Sequence, residues 1–363
     1  MSLLINKKLD RLQNLMRSSE IDTIIIPLGI NFRWLFGVKE LPSERLLVSI
    51  VESEGFPQFL VPSFEVERIK KVTKATEVVG WEETEDPFIK LASDLVPDKR
   101  KTIGIEPKMW YSVYQNISNH LQDKKFIDTE SLFSSLRSEK DDEEIRNLQL
   151  ASQKSADMII KTLYELETGI TEGEMQSILK DRLIWGPKEE MFNLVQFGDN
   201  SALPHYHGGE RKLNKDDVVL IDAGGTVKNY WGDITITTVF GKATEKFKDV
   251  FKIVDNANQG GKEAARQNKT PHEIDVTTRQ IIAKEGYGEY FTHRTGHGLG
   301  LEVHETPYIV NGNHKPLKTG NSFTVEPGIY LPGKFGVRIE DNVIKKPDGI
   351  FSNRIQRFEL LEV

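Results

Sequence analysis

Short apolar runs alternate with amphipathic stretches through residues 1–130. Leu9, Leu12 and Met16 recur at helical spacing, and the runs IDTIIIP, LLVSIV, QFLVP and TIGIE predict strands. That alternation predicts a compact α/β domain. From residue 131 the pattern changes, and we assign residues 131–363 to a second domain. The charged segment LRSEKDDEEIRNLQLASQKSADMIIKTLYELE predicts a long helix beginning near Lys140. Two later helix starts carry N-terminal signatures: Thr171 with Glu174 three residues on, and Thr270-Pro271 with Glu273.

Two pairs of strands in the second domain predict hairpins. DDVVLIDAGG and NYWGDITITTVF hold Asp222 and Asp233, whose midpoint lies between Val227 and Lys228. A turn centred there would set the two carboxylates directly opposite each other, about 4.5 to 5.5 Å apart at Cβ. Likewise NSFTVEPGIYL and FGVRIEDNVI flank Pro332-Gly333-Lys334, and Glu326 and Glu340 are equidistant from Gly333. The segment HRTGHGLGLEVHE adds His297, with glycines at 296, 298 and 300 that permit close backbone approach and unusual dihedrals.

Composition narrows the chemistry. The 55 acidic and 48 basic residues leave a net charge of -7 with no long single-sign block, which argues against nucleic acid as a partner. No apolar run approaches the roughly 18 residues that span a bilayer, and the early charges of MSLLINKKLDRLQNLM do not read as a signal peptide, so a cytoplasmic location without membrane partners is expected. The absence of cysteine removes disulfides, thiolate zinc sites and cysteine nucleophiles. Carboxylate and imidazole remain. They suit manganese, cobalt, iron or zinc.

Asp222, Asp233, His297, Glu326 and Glu340 together read as a ligand set for two divalent ions. Four carboxylates in one site carry about four negative charges, which no fold buries without counter-charge. Two ions of about 3.5 to 4 Å separation, sharing bridging carboxylates, fit two facing pairs. The other histidines near these motifs, His205, His293 and His304, are open as further ligands, acid/base groups or surface residues. Arg338 alternates along its strand with Glu340 and so shares its face.

These stretches, NSALPHYH, VVLIDAGG with WGDITITT, HRTGHGLGLEVHE, FTVEPGIY and VRIEDNV, resemble the metallopeptidases of the pita-bread fold, in the branch of Xaa-Pro dipeptidases and aminopeptidases P. NFRWLFGV and PSERLLV are weaker likenesses in the first domain. The resemblance implies a creatinase-like α/β N-terminal domain and an α+β pita-bread catalytic domain. It implies that Asp222 binds one ion, His297 and Glu326 the other, and that Asp233 and Glu340 bridge them. His205 and His304 with Glu326 are then catalytic, and His293 and Arg338 bind substrate. The expected cofactor is a pair of divalent ions, foremost Mn2+, with Co2+, Zn2+ or Fe2+ as alternatives. The expected assembly is a homodimer acting on short proline-containing peptides.

Two departures from that family stand out. Ile236 occupies a position after the DIT motif where many relatives carry arginine, and no arginine lies between HETP and EPGIY, where some longer prolidases hold a free proline carboxylate. Dipeptidase and aminopeptidase P therefore both stay open, with the dipeptidase preferred. A metal-free creatinase-like hydrolase or a non-catalytic binding module should lack several of the carboxylates. A methionine aminopeptidase would not need the first domain.

Overall fold

The computed structural model describes residues 3–40, 42–75, 77–96, 98–187, 189–353 and 361–363. The chain divides into two compact units, Met1–Arg137 and Ser138–Val363.

The first unit is built on a mixed sheet of β1 Thr23–Pro27, β2 Val48–Glu52, β3 Gln58–Pro62, β4 Val78–Trp81, β5 Thr102–Ile105 and β6 Lys125–Asp128. Its order is β4-β3-β2-β1-β5-β6, with β1 antiparallel to β2 and parallel to β5. Ile24, Ile25 and Ile26 are all fully buried, so the apolar run in β1 reads as a strand covered on both faces. The helices are α1 Leu3–Ser18, α2 Ile30–Phe36, α3 Val66–Thr73, α4 Pro87–Lys90, α5 Tyr111–His120 and α6 Glu130–Ser138. As the spacing predicts, α1 buries Leu9, Leu12 and Met16.

The second unit opens with α7 Asp142–Leu163 and α8 Glu172–Leu183, followed by β7 Met191–Phe197, β8 Asp217–Val227, β9 Tyr230–Trp231 and β10 Ile234–Phe240. After α9 Glu245–Arg266 and α10 Pro271–Lys284 come β11 Gly296–Gly298, β12 Glu305–Ile309, β13 Ser322–Val325, β14 Gly328–Leu331, β15 Phe335–Arg338, β16 Asp341–Lys346 and β17 Gly349–Ser352. One sheet runs β10-β8-β7, with β9 folded back on β8; another runs β12-β11-β13-β16-β17; β14 and β15 form a separate ribbon.

Strand alternation decides what faces the site. Val219, Ile221 and Ala223 of β8, with Ile234 and Ile236 of β10, pack against Ile159 and Leu163 of α7 and Met175 and Leu179 of α8. Asp222 and Thr235, of the other parity, point the opposite way. Ile236 is thus a core residue on the far face of the strand, where a buried arginine would need its own partner.

The helix starts behave as expected. Thr171 and Thr270 each close a capping box with the glutamate three residues on, and Pro271 occupies the first turn of α10. In α7 the cap is Asp141, whose side chain accepts from the amides of Glu143 and Glu144. The adjacent Lys140 is buried and pairs with Glu305 at 2.6 Å. Replacing Asp141 by Ala removes the box and should lower the stability of the second unit by about 1 kcal/mol in denaturant unfolding. A loss within about 0.2 kcal/mol of zero would mean the cap does not hold the helix start.

Candidate metal centre

The two ribbons place the carboxylates with different fidelity. β8 turns into β9 through Lys228 and Asn229, at φ of 47° and 71°, a two-residue turn whose handedness matches strand twist. This turn lies one residue beyond the sequence midpoint, so Asp222 pairs with Thr235 and not with Asp233. The expected direct opposition is corrected to a diagonal one. A shift of two residues preserves the face, so both carboxylates still reach one cavity.

The second ribbon has the expected register. Gly333, at φ 66°, sits at the tip, and pairing runs from Leu331↔Phe335 to Gly328↔Arg338 and resumes at Val325↔Asp341. Glu326 and Glu340 lie in the gap between those ladders. There the backbone bonds change partners: the Glu326 amide donates to the Thr295 carbonyl at 2.8 Å, and the Glu340 amide to the Thr235 carbonyl at 3.3 Å. The ribbon is thereby stitched to the approach to β11 on one side and to β10 on the other.

His297 enters between two close backbone approaches. A Cβ at Gly296 would lie 1.9 Å from the Thr324 carbonyl oxygen, and one at Gly298 would lie 2.3 Å from the Thr306 carbonyl. The glycines serve space and not the unusual dihedrals expected, since neither is at positive φ.

His297 Nδ1 lies 3.1 Å from the Gly298 carbonyl, which only accepts, so Nδ1 carries the proton and Nε2 presents a lone pair. That lone pair faces Glu326 Oε1 at 3.3 Å and Asp233 Oδ2 at 3.6 Å. Ligand atoms of Asp233, His297 and Glu340 all lie within 4.8 Å of one another. The three residues are 4%, 3% and 2% exposed.

These residues fit divalent cations. Burial, with His304 beside it, pushes the His297 imidazole down to about 3, so Nε2 carries no proton of its own. Electron-pair donors facing each other across 3.3 and 3.6 Å repel unless a proton or a metal cation lies between them. Around one cation with bonds near 2.1 Å, neighbouring ligands are separated by about 3.0 to 3.4 Å. Burial also lifts the Glu326 carboxyl to about 7, and burial with neighbouring carboxylates holds Asp233 and Glu340 well above their ordinary range. Asp222 Oδ1 is buried without any hydrogen-bond partner. A metal ion would be a partner for that oxygen and would offset the crowding of charge.

Other side chains hold the ligands in place. Thr235 Oγ1 donates to Glu340 at 2.6 Å, Thr324 Oγ1 to Glu326 at 3.1 Å, and Asn342 clasps the backbone of Asp233 in both directions. Arg338, expected on the substrate side, lines the cavity but is engaged by protein: Nη2 meets Asp222 Oδ2 at 2.7 Å, and its other nitrogens reach Tyr330, Thr235 and Pro204.

A cavity of about 610 Å³ collects every predicted site residue: His205, Asp222, Asp233, His293, His297, His304, Glu326, Arg338 and Glu340. His205 and His304 are exposed at its rim. His293 donates from Nδ1 to the Arg294 carbonyl at 2.8 Å and accepts at Nε2 from the Tyr330 hydroxyl at 2.8 Å. Burial, with Arg338 adding to it, keeps its imidazole neutral by lowering it to about 4. Both ring nitrogens are thus committed within the protein.

Sequence reading missed Phe192, Leu194, Val303 and Arg294, which also line the cavity. Leu194 pairs with Asp222 across β7 and β8, so the alternation of MFNLVQF carried that signal once the register was known. It also missed Gln196 and Glu172. Buried Gln196 donates to the carbonyls of Leu203 and Tyr206, on either side of His205, and buried Glu172 accepts from the amides of Phe197 and Gly209. Together they tie the His205 loop to β7.

Known proteins give the same picture. Residues 146–346 match the profile of metallopeptidase family M24, and residues 8–138 that of the creatinase/prolidase N-terminal domain. An uncharacterized peptidase of Staphylococcus haemolyticus is 33% identical over 94% of this chain and 97% of its own. The crystal structure of a prolidase from Thermococcus sibiricus superposes with a TM-score of 0.92 at 32% identity, covering 100% of both chains. That of a dipeptidase from Pyrococcus horikoshii gives 0.90 at 33% identity, covering 98% of this chain and 100% of the other. The creatinase-type α/β domain followed by a pita-bread catalytic domain, expected from the sequence, is the fold shared with them.

The raised carboxyls set a pH dependence. A carboxyl whose folded pKa is raised contributes stability below its unfolded value and loses it as pH rises through the folded value, about 7 for Glu326. Cation binding expels those protons and removes the penalty. Saturating Mn2+ should therefore raise the Tm of chelator-stripped protein more at about pH 8 than at about pH 6, with protons released in calorimetry across buffers of different ionisation heat. An equal or larger gain at the lower pH would contradict this.

Proposed function

The chain belongs to metallopeptidase family M24, and from that premise we propose that it is an Xaa-Pro dipeptidase, hydrolysing the bond before proline in dipeptides. The observation that carries the reading is the five-residue donor cluster at the floor of a cavity whose rim holds two histidines. Asp222, Asp233, His297, Glu326 and Glu340 would hold two divalent cations, with Mn2+ the proposed native ion. Such ions polarise a scissile carbonyl and acidify water near neutral pH, so no protein nucleophile is needed.

The chain's own groups do the rest. Glu326 Oε1 faces His297 and Thr324, while Oε2 lies 4.0 Å from His293 Nδ1, so its two oxygens have different surroundings. Glu326 takes the proton from the attacking water and returns it to the leaving proline nitrogen. His304, whose imidazole burial keeps below its ordinary value, is a neutral donor at the rim, and with His205 it hydrogen-bonds the substrate carbonyl as negative charge develops there. Phe192, Leu194 and Val303 offer an apolar wall. Proline suits it, since its tertiary amide has no N–H to satisfy.

We place the protein in the cytoplasm as a homodimer; among the described residues no helix is long and apolar enough to cross a membrane. Sedimentation as a monomer with full activity would contradict the dimer.

Chelator-stripped protein given Mn2+ should cleave Ala-Pro and leave Met-Ala-Ser intact. Cleavage extending to Ala-Pro-Ala would make it an aminopeptidase P, and silence on both proline substrates would overturn the Xaa-Pro reading. His304→Ala in metal-replete protein should lower kcat by roughly 100- to 1,000-fold, as loss of one oxyanion donor does. Near-native kcat would remove His304 from the mechanism.

A further inference from the structure

Glu326 and Glu340 sit where the ladder of their ribbon is interrupted, between Val325↔Asp341 and Gly328↔Arg338. One side chain spans that gap. Asn258 of α9 donates from Nδ2 to the Val325 carbonyl at 2.8 Å and to the Ile339 carbonyl at 3.3 Å. These carbonyls stand one residue ahead of the two glutamates.

A carbonyl and the amide that follows it lie in one rigid plane. The plane that enters Glu326 is therefore pinned at both ends, by Asn258 at its oxygen and by the Thr295 carbonyl at its nitrogen. The plane that enters Glu340 is pinned likewise, by Asn258 and by the Thr235 carbonyl. Asn258 is the part common to both.

The helix that carries Asn258 is pressed against the strands. A Cβ at Gly261 would lie 2.9 Å from Val325 Cγ1 and 2.7 Å from Thr278 Oγ1. One turn beyond Asn258, Lys262 pairs with Asp341, the residue after Glu340, at 2.7 Å. Asn258 itself is fully buried, and its Oδ1 has no hydrogen-bond partner. A buried amide oxygen left alone is a cost that an apolar side chain of similar volume would avoid. What asparagine adds is the pair of N–H donors. The reversed amide would set an oxygen against both carbonyls, so the carbonyls fix its orientation.

We propose that Asn258 is a positioning residue of the metal centre: its amide ties the two strands together at the glutamates and fixes where Glu326 and Glu340 stand relative to each other. The inference rests on the two-cation reading above. With the tie cut, a first cation still finds donors, whereas a second depends on both glutamates keeping their places.

The test titrates Mn2+ into chelator-stripped wild type, Asn258→Leu and Asn258→Gln by calorimetry. Electron paramagnetic resonance is recorded for each at two ions per chain, and Tm without metal. Val250→Ala, a buried apolar substitution two turns earlier on α9, supplies the effect of destabilisation alone. Asn258→Leu should weaken the second Mn2+ roughly 10- to 100-fold, leave the first within about 3-fold, and diminish the spin coupling. Asn258→Gln keeps both donors and should recover part of the second affinity. Val250→Ala should lower Tm and move neither affinity. Wild-type affinities and coupling in Asn258→Leu overturn the inference, as does an equal loss of the second ion in Val250→Ala. If Asn258→Leu does not fold, Asn258→Ser carries the same test, since one hydroxyl donates to one carbonyl at most, and wild-type binding there overturns the inference. A wild type that binds fewer than two Mn2+ overturns the two-cation reading together with it. A wild type that binds two coupled Mn2+ yet cleaves no proline substrate overturns the Xaa-Pro reading alone.

Discussion

An imidazole lone pair and three carboxylates point at one another at the floor of the cavity, and the second unit is organised around that unfavourable arrangement. Left without cations, like charges this close hold protons that the chemistry does not want, and the Glu326 carboxyl rises to about 7. The fold accepts the arrangement because everything around it is over-determined. Backbone comes within reach only where Gly296 and Gly298 have no side chain, and hydroxyls of Thr235 and Thr324 fix the carboxylate rotamers. Arg338 lends one permanent positive charge from behind Asp222.

The supporting structure divides its labour by depth. The floor is buried and rigid, with the Lys262–Asp341 pair at 2.7 Å just behind Glu340 and the Asp275–Arg279 pair beneath the His293 segment. Charged pairs of this kind contribute little net stability but fix geometry, because breaking one strands its partner. The rim is different. His205 and His304 are exposed, and each depends on neighbours that are not: Gln196 laces the loop of His205, and the buried Lys140–Glu305 pair follows His304 directly. Groups that must meet a changing substrate stand on backbone that does not change.

Much of this was legible in the sequence, and the misses have definite causes. The symmetry of Glu326 and Glu340 about Gly333 translated directly into register because the tip is a tight three-residue loop. The same arithmetic failed by one residue for Asp222 and Asp233, because the turn chose Lys228-Asn229, residues that reach positive φ, over the midpoint. The error cost nothing in face, since a displacement of two residues conserves parity. Ile236 looked like a missing charge but is a core residue, an outcome decided by which face of β10 packs on α7 and α8. Asn258, Tyr330 and Gln196 were beyond reach, because each matters through a contact made across the fold and carries no local periodicity. His293 and Arg338 line the cavity, and their polar atoms are engaged by Tyr330, Arg294 and Asp222.

The central claim is that the facing donors are a two-cation site, and the most direct measurement counts the cations. Chelator-stripped protein equilibrated with Mn2+ should bind two ions per chain by elemental analysis, and its electron paramagnetic resonance should show a spin-coupled pair. Asp222→Asn should reduce the count to one and abolish the coupling. A native chain that binds fewer than two ions, or two ions that show no magnetic coupling, would contradict the account.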